Sequence, residues 1–231
     1  MDSRALRELG LLEVARLYGL DQAQGARHEA QGAPNGASTA PSSVAPGATS
    51  LLELRTLVAE CNACGLHAGR KQAVFGVGAE KADWMFVGEG PGADEDELGD
   101  PFVGQAGRLL DSMLTAIGCQ RGREVYIANV VKCRPPGNRT PTAEEVGACA
   151  PFLDRQIELV TPKLIVALGK TAATRLLGTE ASLASLRGRV HHYREIPVVV
   201  TYHPAYLLRT LPDKAKAWED LLFARRTLAA S

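Results

Sequence analysis

Four short runs of apolar residues constrain the fold more than any other feature of the sequence. They read WMFVG (84–88), VYIANVV (125–131), KLIVALG (163–169) and PVVVTY (197–202). Near-continuous apolarity of this kind is typical of strands that are covered on both faces. Helical patterns lie between most of these runs, at 104–118, 142–160 and 170–178. The alternation predicts a three-layer α/β/α protein with a central, mostly parallel, four-stranded sheet.

Polar residues follow the ends of these runs. In parallel sheets with helices on both faces, ligands bind outside the carboxyl ends of the strands. The first run opens into Glu89, the second contains Asn129, and the fourth is followed by His203. We therefore expect these three side chains to converge on one crevice.

The loop after the first run, VGEGPGADEDE (87–97), is rich in glycine but strongly acidic. Glycines after a strand commonly bring the backbone around a phosphate. Residues 89–100, however, include six acidic residues and no basic one, and their charges would repel a phosphate. The loop is therefore predicted to hold a different chemical group.

Two capping signals help to divide the chain. Ser50 with Glu53, and Thr142 with Glu145, have the capping-box spacing that begins a helix. We predict an N-terminal helix at 1–21, a flexible Ala/Gly/Pro/Ser-rich linker at 22–49 and a folded domain at 50–231. The N-terminal helix is interpreted either as a loosely packed appendage or as a docking helix for a protein partner.

The sequence argues against two classes of protein, those that span a membrane and those that carry a secretory signal. No run approaches the ~20 apolar residues that span a bilayer, and the charges scattered through the first ten residues do not resemble a secretory signal. A cytoplasmic protein without membrane contact is expected. Basic and acidic residues both number 26, so no overall positive field indicates nucleic acid, and any anionic partner would need a local basic patch.

The cysteines suggest a metal site. Clustered cysteines in a cytoplasmic protein point to metal rather than to disulfides. Cys61, Cys64, Cys133 and Cys149 have the spacing C-x2-C-x68-C-x15-C. Four sulfurs suit tetrahedral zinc or a four-iron cluster, and the spacing leaves both open, together with the alternative of buried, unliganded cysteines. Cys119 has no partner in sequence and is interpreted as an ordinary thiol.

Four segments together resemble the family 4, iron-sulfur uracil-DNA glycosylases. They are CNACGLHAGRKQAVFGVG, VGEGPGADEDELGDPFVGQAGRLLD, VYIANVVKCRPPGNRTPTAEE and TYHPAYLLR, in that order within residues 51–226. The resemblance implies a monofunctional DNA-repair enzyme that hydrolyses the N-glycosidic bond of uracil in single- or double-stranded DNA and leaves an abasic site. It also implies a structural 4Fe-4S cluster on the four spaced cysteines. A nucleoid-associated monomer is expected.

The same resemblance assigns roles in the crevice. Phe102 is the platform on which a flipped uracil stacks, and Asn129 hydrogen-bonds the edge of the base. His203 stabilises the negative charge on the departing uracil. Glu89 lies near the sugar, where its carboxylate stabilises an oxocarbenium-like state or orients water. That role explains why the glycine loop carries acid.

Further roles concern the loop and the DNA. Gly88 and Gly90 are predicted to let the backbone approach the substrate closely, and Glu95 is a candidate assisting acid. Asp94, Asp96 and Glu97 are interpreted as a solvated run. Gly90 stands where some sister families have an acid or amide that positions water, so the residue with that task stays open, with Glu89 as one candidate.

The HPAYLLR segment is predicted to touch DNA. Leu207 and Leu208 are candidates for the apolar wedge that fills the gap left by the flipped base, with core packing as the alternative. Arg209 is a candidate phosphate contact. Four other arginines are weaker candidates for neutralising the DNA backbone: Arg134, Arg139, Arg187 and Arg189.

Two other interpretations remain open at this point. A non-catalytic iron-sulfur module of replication or repair would bind DNA without breaking a glycosidic bond. An iron-sulfur electron carrier would cycle its cluster reversibly. Neither explains why Glu89, Phe102, Asn129 and His203 occur together.

Overall fold

The structure is a computed structural model that describes residues 47–230. The predicted N-terminal helix and most of the predicted linker lie outside the described residues. Ala48 is buried, and its carbonyl accepts a hydrogen bond from Arg155 Nε at 2.8 Å. The contacts of the folded domain therefore include a residue before Ser50, the predicted start.

The sheet has six strands in the order β1-β3-β2-β4-β6-β5. The strands are β1 Val77–Gly78, β2 Trp84–Gly88, β3 Val125–Asn129, β4 Leu164–Leu168, β5 His191–Tyr193 and β6 Ile196–Thr201. The four central strands are parallel, and the two short edge strands, β1 and β5, are antiparallel. The predicted sheet is therefore confirmed, and two edge strands are added to it.

Helices cover both faces of the sheet. They are α1 Leu51–Glu60, α2 Ala93–Leu98, α3 Gln105–Ala116, α4 Ala143–Val160, α5 Lys170–Leu177, α6 Leu183–Leu186, α7 Pro204–Leu207 and α8 Asp213–Ala229. Short 3-10 turns occur at Gly65–Ala68 and Pro136–Asn138. Within residues 47–230, no helix has the length and apolarity needed to cross a membrane.

The two predicted helix starts are found, with one difference. At α4, Thr142 and Glu145 form the reciprocal capping box. At α1, the Ser50 hydroxyl accepts from the Glu53 backbone N–H at 3.2 Å, but the Glu53 carboxylate accepts from both the N–H and the hydroxyl of Thr49. Thr49, the residue before the N-cap, therefore also hydrogen-bonds to the first turn of α1.

Alternate residues of each strand serve the two faces of the sheet. In β2, Met85 and Val87 belong to a core cluster that includes residues of α1, α4 and α5. Trp84 and Phe86 belong to a second cluster with residues of α3 and α8. Burial on both faces explains why the strands are apolar throughout and confirms the three-layer α/β/α fold. Because β2, β3, β4 and β6 are parallel, their carboxyl ends meet at one edge.

Candidate active site

A cleft of about 500 Å³ lies at the carboxyl ends of the central strands. Seven of the predicted site residues line it: Glu89, Gly90, Glu95, Phe102, Asn129, His203 and Arg209. The first and the last of them, Glu89 and Arg209, are 120 residues apart in sequence. The parallel sheet brings their segments together because each follows or ends a strand.

Asn129 is the last residue of β3 and is almost fully buried. Its side-chain Oδ1 has no hydrogen-bond partner within residues 47–230. Buried polar atoms are normally satisfied, and an unpaired acceptor carries a free-energy cost of about 1–3 kcal/mol. An acceptor left unpaired in a cleft is suited to a donor on a ligand.

Phe102 lies close to Asn129, beside Gly88. A Cβ added to Gly88 would lie 2.5 Å from Asn129 Oδ1 and 2.6 Å from Phe102 Cζ. Both side chains therefore close over the Gly88 backbone, and an alanine there would collide with both. This geometry gives Gly88 a definite reason to be glycine.

His203 completes the same corner of the cleft. Its ring centroid lies 5.5 Å from that of Phe102. The Ala205 backbone N–H donates to Nδ1 at 3.2 Å, so in the neutral ring the proton is on Nε2. Burial, helped by the positive charge of Arg209, lowers the pKa of His203 to about 4. The ring is therefore a neutral hydrogen-bond donor near pH 7.

Glu89 is oriented by a residue that the sequence did not single out. The hydroxyl of Thr171, on α5, donates to the Glu89 carboxylate. The backbone on either side is fixed too, since Val131 N–H donates to Glu89 O at 3.1 Å. Gly90 is pressed against the same neighbour, because a Cβ there would lie 2.8 Å from Val131 Cγ2.

Glu95 bonds to backbone rather than pointing freely into the cleft. One carboxylate oxygen accepts from Val103 N–H at 2.9 Å and from Gly104 N–H at 3.1 Å, and the other accepts from Gly92 N–H at 3.0 Å. These bonds join the glycine loop to the segment that carries Phe102. Its role as an assisting acid stays a prediction.

The interpretation of the acidic run as solvated is wrong for Asp96. That residue is buried, and its carboxylate accepts from the Lys71 backbone N–H at 2.9 Å. Asp94 is exposed, and Glu97 is exposed and paired with the Lys71 ammonium. The first turn of α2 buries one acid because its carboxylate finds a backbone donor across the loop.

The two leucines predicted to touch DNA differ in exposure. Leu207 is 1% exposed and Leu208 is 38% exposed. A DNA wedge is therefore wrong for Leu207, because that side chain packs inward. Leu208 and Arg209 are exposed at the end of α7, and their roles at the DNA stay predictions.

Most of the other candidate arginines already have protein partners. The Arg187 guanidinium donates to both Asp220 oxygens, at 2.6 and 3.0 Å, and lies over the Tyr202 ring. Arg139 pairs with Glu145, and Arg134 donates to Asn138. Arg187 therefore serves the packing of α8 rather than an open DNA surface.

The four spaced cysteines line one small cavity. Cys61 and Cys64 follow α1, Cys133 follows β3, and Cys149 lies in α4, with the backbone of Lys132 among them. All four thiols are free. Among residues 47–230, no three Cys, His, Asp or Glu side chains are grouped closely enough to hold a metal ion.

Three N–H groups donate to sulfur at this cavity. Arg70 Nη1 donates to Cys133 Sγ at 3.0 Å, Lys132 N to Cys149 Sγ at 3.3 Å, and Ala63 N to Cys61 Sγ at 3.5 Å. Donors of this kind stabilise thiolate ligands and tune the group that they hold. The donor set therefore fits a cluster with cysteine ligands.

Sequence reasoning missed Lys132 as a residue that links the two sites. It is fully buried, and its ammonium donates to Asn129 O at 2.7 Å and to Gln156 Oε1 at 2.5 Å. A lysine after a strand gives no sequence signal of burial. Only the tertiary position of Gln156, on α4, provides the acceptor.

Comparison with known proteins agrees with this geometry. Residues 75–222 match the model of the uracil DNA glycosylase superfamily. The type-4 uracil-DNA glycosylase of Pyrobaculum aerophilum is 45% identical over 179 residues, covering 74% of this chain and 91% of that protein. That of Thermotoga maritima is 48% identical over 170 residues, covering 71% and 88%, and that of Archaeoglobus fulgidus is 45% identical over 167 residues, covering 69% and 83%. With the fold, the cleft and these similarities in agreement, the chain belongs to the type-4 uracil-DNA glycosylases of the uracil-DNA glycosylase superfamily.

Proposed function

We propose that the protein hydrolyses the N-glycosidic bond of uracil in DNA and leaves an abasic site for repair. The observation that carries this proposal is the buried, unpaired Oδ1 of Asn129, which lies close to Phe102 beside Gly88. Uracil has an N3–H donor beside a carbonyl acceptor, and a fixed amide can complement both. Cytosine has no proton at N3, so the same acceptor would stay unpaired against it.

The target nucleotide must leave the DNA stack before the enzyme can reach its glycosidic bond. In the cleft, Phe102 provides an aromatic face for the base, a contact worth ~1–3 kcal/mol. Asn129 reads the edge of the base. The exposed Leu208 enters the gap in the duplex, and Arg209 contacts a phosphate.

Bond cleavage places negative charge on uracil and positive charge on the sugar. The Nε2–H of neutral His203 donates to a uracil carbonyl and stabilises the leaving anion. The Glu89 carboxylate, which accepts a hydrogen bond from Thr171, stabilises the sugar cation and orients the attacking water. The bond to nitrogen breaks, and water then adds to the anomeric carbon and loses one proton to solvent. The departed uracil anion takes up one proton from solvent, which completes the hydrolysis.

A 4Fe-4S cluster bound by Cys61, Cys64, Cys133 and Cys149 would act as a structural cross-link. The four cysteines line one cavity, and N–H groups of Arg70, Lys132 and Ala63 donate to three of their sulfurs. Sulfurs that accept such bonds support a cluster with cysteine ligands. The cross-link ties the segment after α1 to the loop after β3 and to α4.

The test uses an end-labelled oligonucleotide with one uracil, followed by alkali, which cleaves at an abasic site. We expect cleavage with uracil and none with thymine. His203→Ala and Asn129→Ala should each slow excision by at least about 100-fold while keeping the brown colour of the cluster. His192→Ala, an exposed histidine on β5, is the matched control and should keep the wild-type rate.

An intact strand from protein that binds DNA would instead favour the non-catalytic binding module. A wild-type rate in either site variant would contradict the assignment of the pocket.

A further inference from the structure

Phe102 has a backbone conformation that a phenylalanine rarely adopts. Its φ angle is +56°, in the left-handed region. Side chains other than glycine are strained there, and such a residue persists only where its surroundings hold it. Strained residues of this kind are common at ligand sites, so the contacts that hold Phe102 have functional interest.

Arg121 supplies those contacts from outside the cleft. Its Nη1 donates to Pro101 O at 2.7 Å and its Nη2 donates to Phe102 O at 2.8 Å. The third donor, Nε, bonds Asp111 Oδ1 at 2.9 Å, which fixes the guanidinium against α3. One planar group thus holds two successive carbonyls, a task that requires the fork of arginine.

The packing on the other side of Phe102 is equally close. A Cβ at Gly107 would lie 1.8 Å from Phe102 O. Helix α3 can approach the carbonyl only because Gly107 has no side chain. The peptide at Phe102 is therefore held between α3 and Arg121, while the ring lies against His203 and Gly88.

We propose that Arg121 is a positioning residue for uracil excision, which acts by holding Phe102 in its left-handed conformation before the base arrives. The inference rests on the proposed role of Phe102 as the stacking platform. A platform fixed in advance avoids the entropy of ordering it when the nucleotide enters. Arg121 does not line the cleft, so its effect on the reaction passes through Phe102.

The bland alternative is a surface ion pair between Arg121 and Asp111. Such pairs contribute little, and their loss leaves activity unchanged. The two explanations differ in what happens when Phe102 is already absent. A surface pair or a general loss of stability acts whether or not the ring is present, whereas a positioning residue has nothing left to position.

The experiment is a double-mutant cycle on the holoenzyme. Single-turnover excision is measured for wild type, Arg121→Gln, Phe102→Ala and the double variant. We expect Arg121→Gln to slow excision by roughly 10- to 100-fold, as displaced binding groups do. In the Phe102→Ala background the same substitution should change the rate by less than about twofold, because coupled residues are not additive.

Two further variants separate the effect of the hydrogen bonds of Arg121 from the effect of its charge. Arg123→Gln removes the same charge from a neighbouring arginine that is 72% exposed and only loosely paired, at 3.8 Å from Glu124; it should keep the wild-type rate. Arg121→Lys keeps the charge but lacks the fork, so it should be slow while its thermal midpoint and its affinity for undamaged DNA stay near wild type. If Arg121→Gln does not fold, Arg121→Lys takes its place in the cycle.

Equal slowing by the Arg121 substitution in both backgrounds overturns the inference, as does full activity of Arg121→Lys. These outcomes are separate from a failure of the proposed function. In that case wild type itself would release no uracil, whereas a failure of this inference leaves wild type active and Phe102→Ala impaired.

Discussion

Neutral His203 shows how one residue's surroundings determine its chemistry. Burial and the nearby charge of Arg209 lower its pKa to about 4, and Glu95 opposes them weakly. A histidine that stays neutral can donate a hydrogen bond to the base. Because the ring has no charge, it does not repel the positively charged sugar of the transition state. The backbone bond from Ala205 to Nδ1 then decides that the donor is Nε2.

The pKa of His203 predicts how stability depends on pH. Its ordinary value is 6.5 and its folded value is about 4. Between these two pH values the unfolded chain binds more protons than the native protein, so the native protein loses stability as pH falls. The loss from this residue should begin near pH 6.5 and approach roughly 3 kcal/mol below pH 4.

The measurement compares wild type with His203→Gln by denaturant unfolding at pH 7, 6 and 5. The free energy of unfolding of wild type relative to the variant should fall with pH across this range, and NMR of the His203 ring should show no titration near pH 6.5. A ring that titrates at its ordinary pKa would contradict the neutral-donor role.

At the scale of elements, the end of β3 connects the cleft with the cysteine cavity. Asn129 ends the strand, Lys132 donates to the Asn129 carbonyl, and Cys133 follows directly. Gln156 joins the same network from α4, which also carries Cys149. The proposed cluster is therefore expected to fix the strand end that presents the side-chain amide of Asn129 to the cleft.

Loss of one cluster ligand should consequently affect both stability and excision. Cys133→Ser should abolish the iron content and the visible absorbance, with a stability loss that is a large part of the roughly 5–15 kcal/mol of a whole domain. Excision should fall by at least tenfold, because Asn129 loses its support. Cys119→Ser is the control, since Cys119 does not line the cavity.

Iron content, thermal midpoint and single-turnover rate are measured on the same preparations. If Cys133→Ser lost its iron but kept the wild-type rate, the connection between cluster and strand end would be wrong. Loss of iron from Cys119→Ser would instead change the ligand set.

The sequence allowed the four central strands and the helices between them, α3, α4 and α5, to be predicted to within about two residues. Helices α2, α6, α7 and α8 were not predicted. Strand β2 matches its apolar run, and β3 ends at Asn129, two residues before the end of its run, because the chain then turns toward Cys133. Strands β1 and β5, of two and three residues, were not predicted. Runs this short carry no periodicity, and they exist only because a neighbouring strand offers its edge.

The residues of the candidate site likewise divide into those that the sequence could predict and those that it could not. Glu89, Asn129 and His203 could be predicted because each follows or ends a recognisable strand. The contributions of Thr171, Lys132 and Arg121 could not, because each depends on a partner that is distant in sequence. The burial of Asp96 likewise depends on the Lys71 backbone N–H, 25 residues away in sequence. For Leu207 the sequence left core packing and a DNA contact both open.

At the scale of the whole molecule, the balance of charge limits how the protein holds DNA. The chain has a formal net charge of zero, so nonspecific attraction to phosphates must come from a few basic residues around the cleft. Arg139 and Lys170 line it but pair with Glu145 and Glu180. Arg209 also lines the cleft and forms no ion pair within residues 47–230, which makes it the strongest candidate for a phosphate contact.

The position of Arg209 therefore predicts how the affinity for DNA depends on salt concentration. Each phosphate neutralised adds about 0.9 to the slope of log affinity against log salt. Arg209→Gln should lower that slope by about 1 and weaken binding to all DNA sequences alike, as measured by fluorescence anisotropy between 50 and 200 mM salt. Lys163→Gln is the matched control, because Lys163 precedes β4 at the opposite edge of the sheet from the cleft. An equal change of slope in both variants would show that the attraction comes from overall charge. A change confined to Arg209→Gln would place a phosphate beside His203, at the entrance of the cleft for the flipped nucleotide.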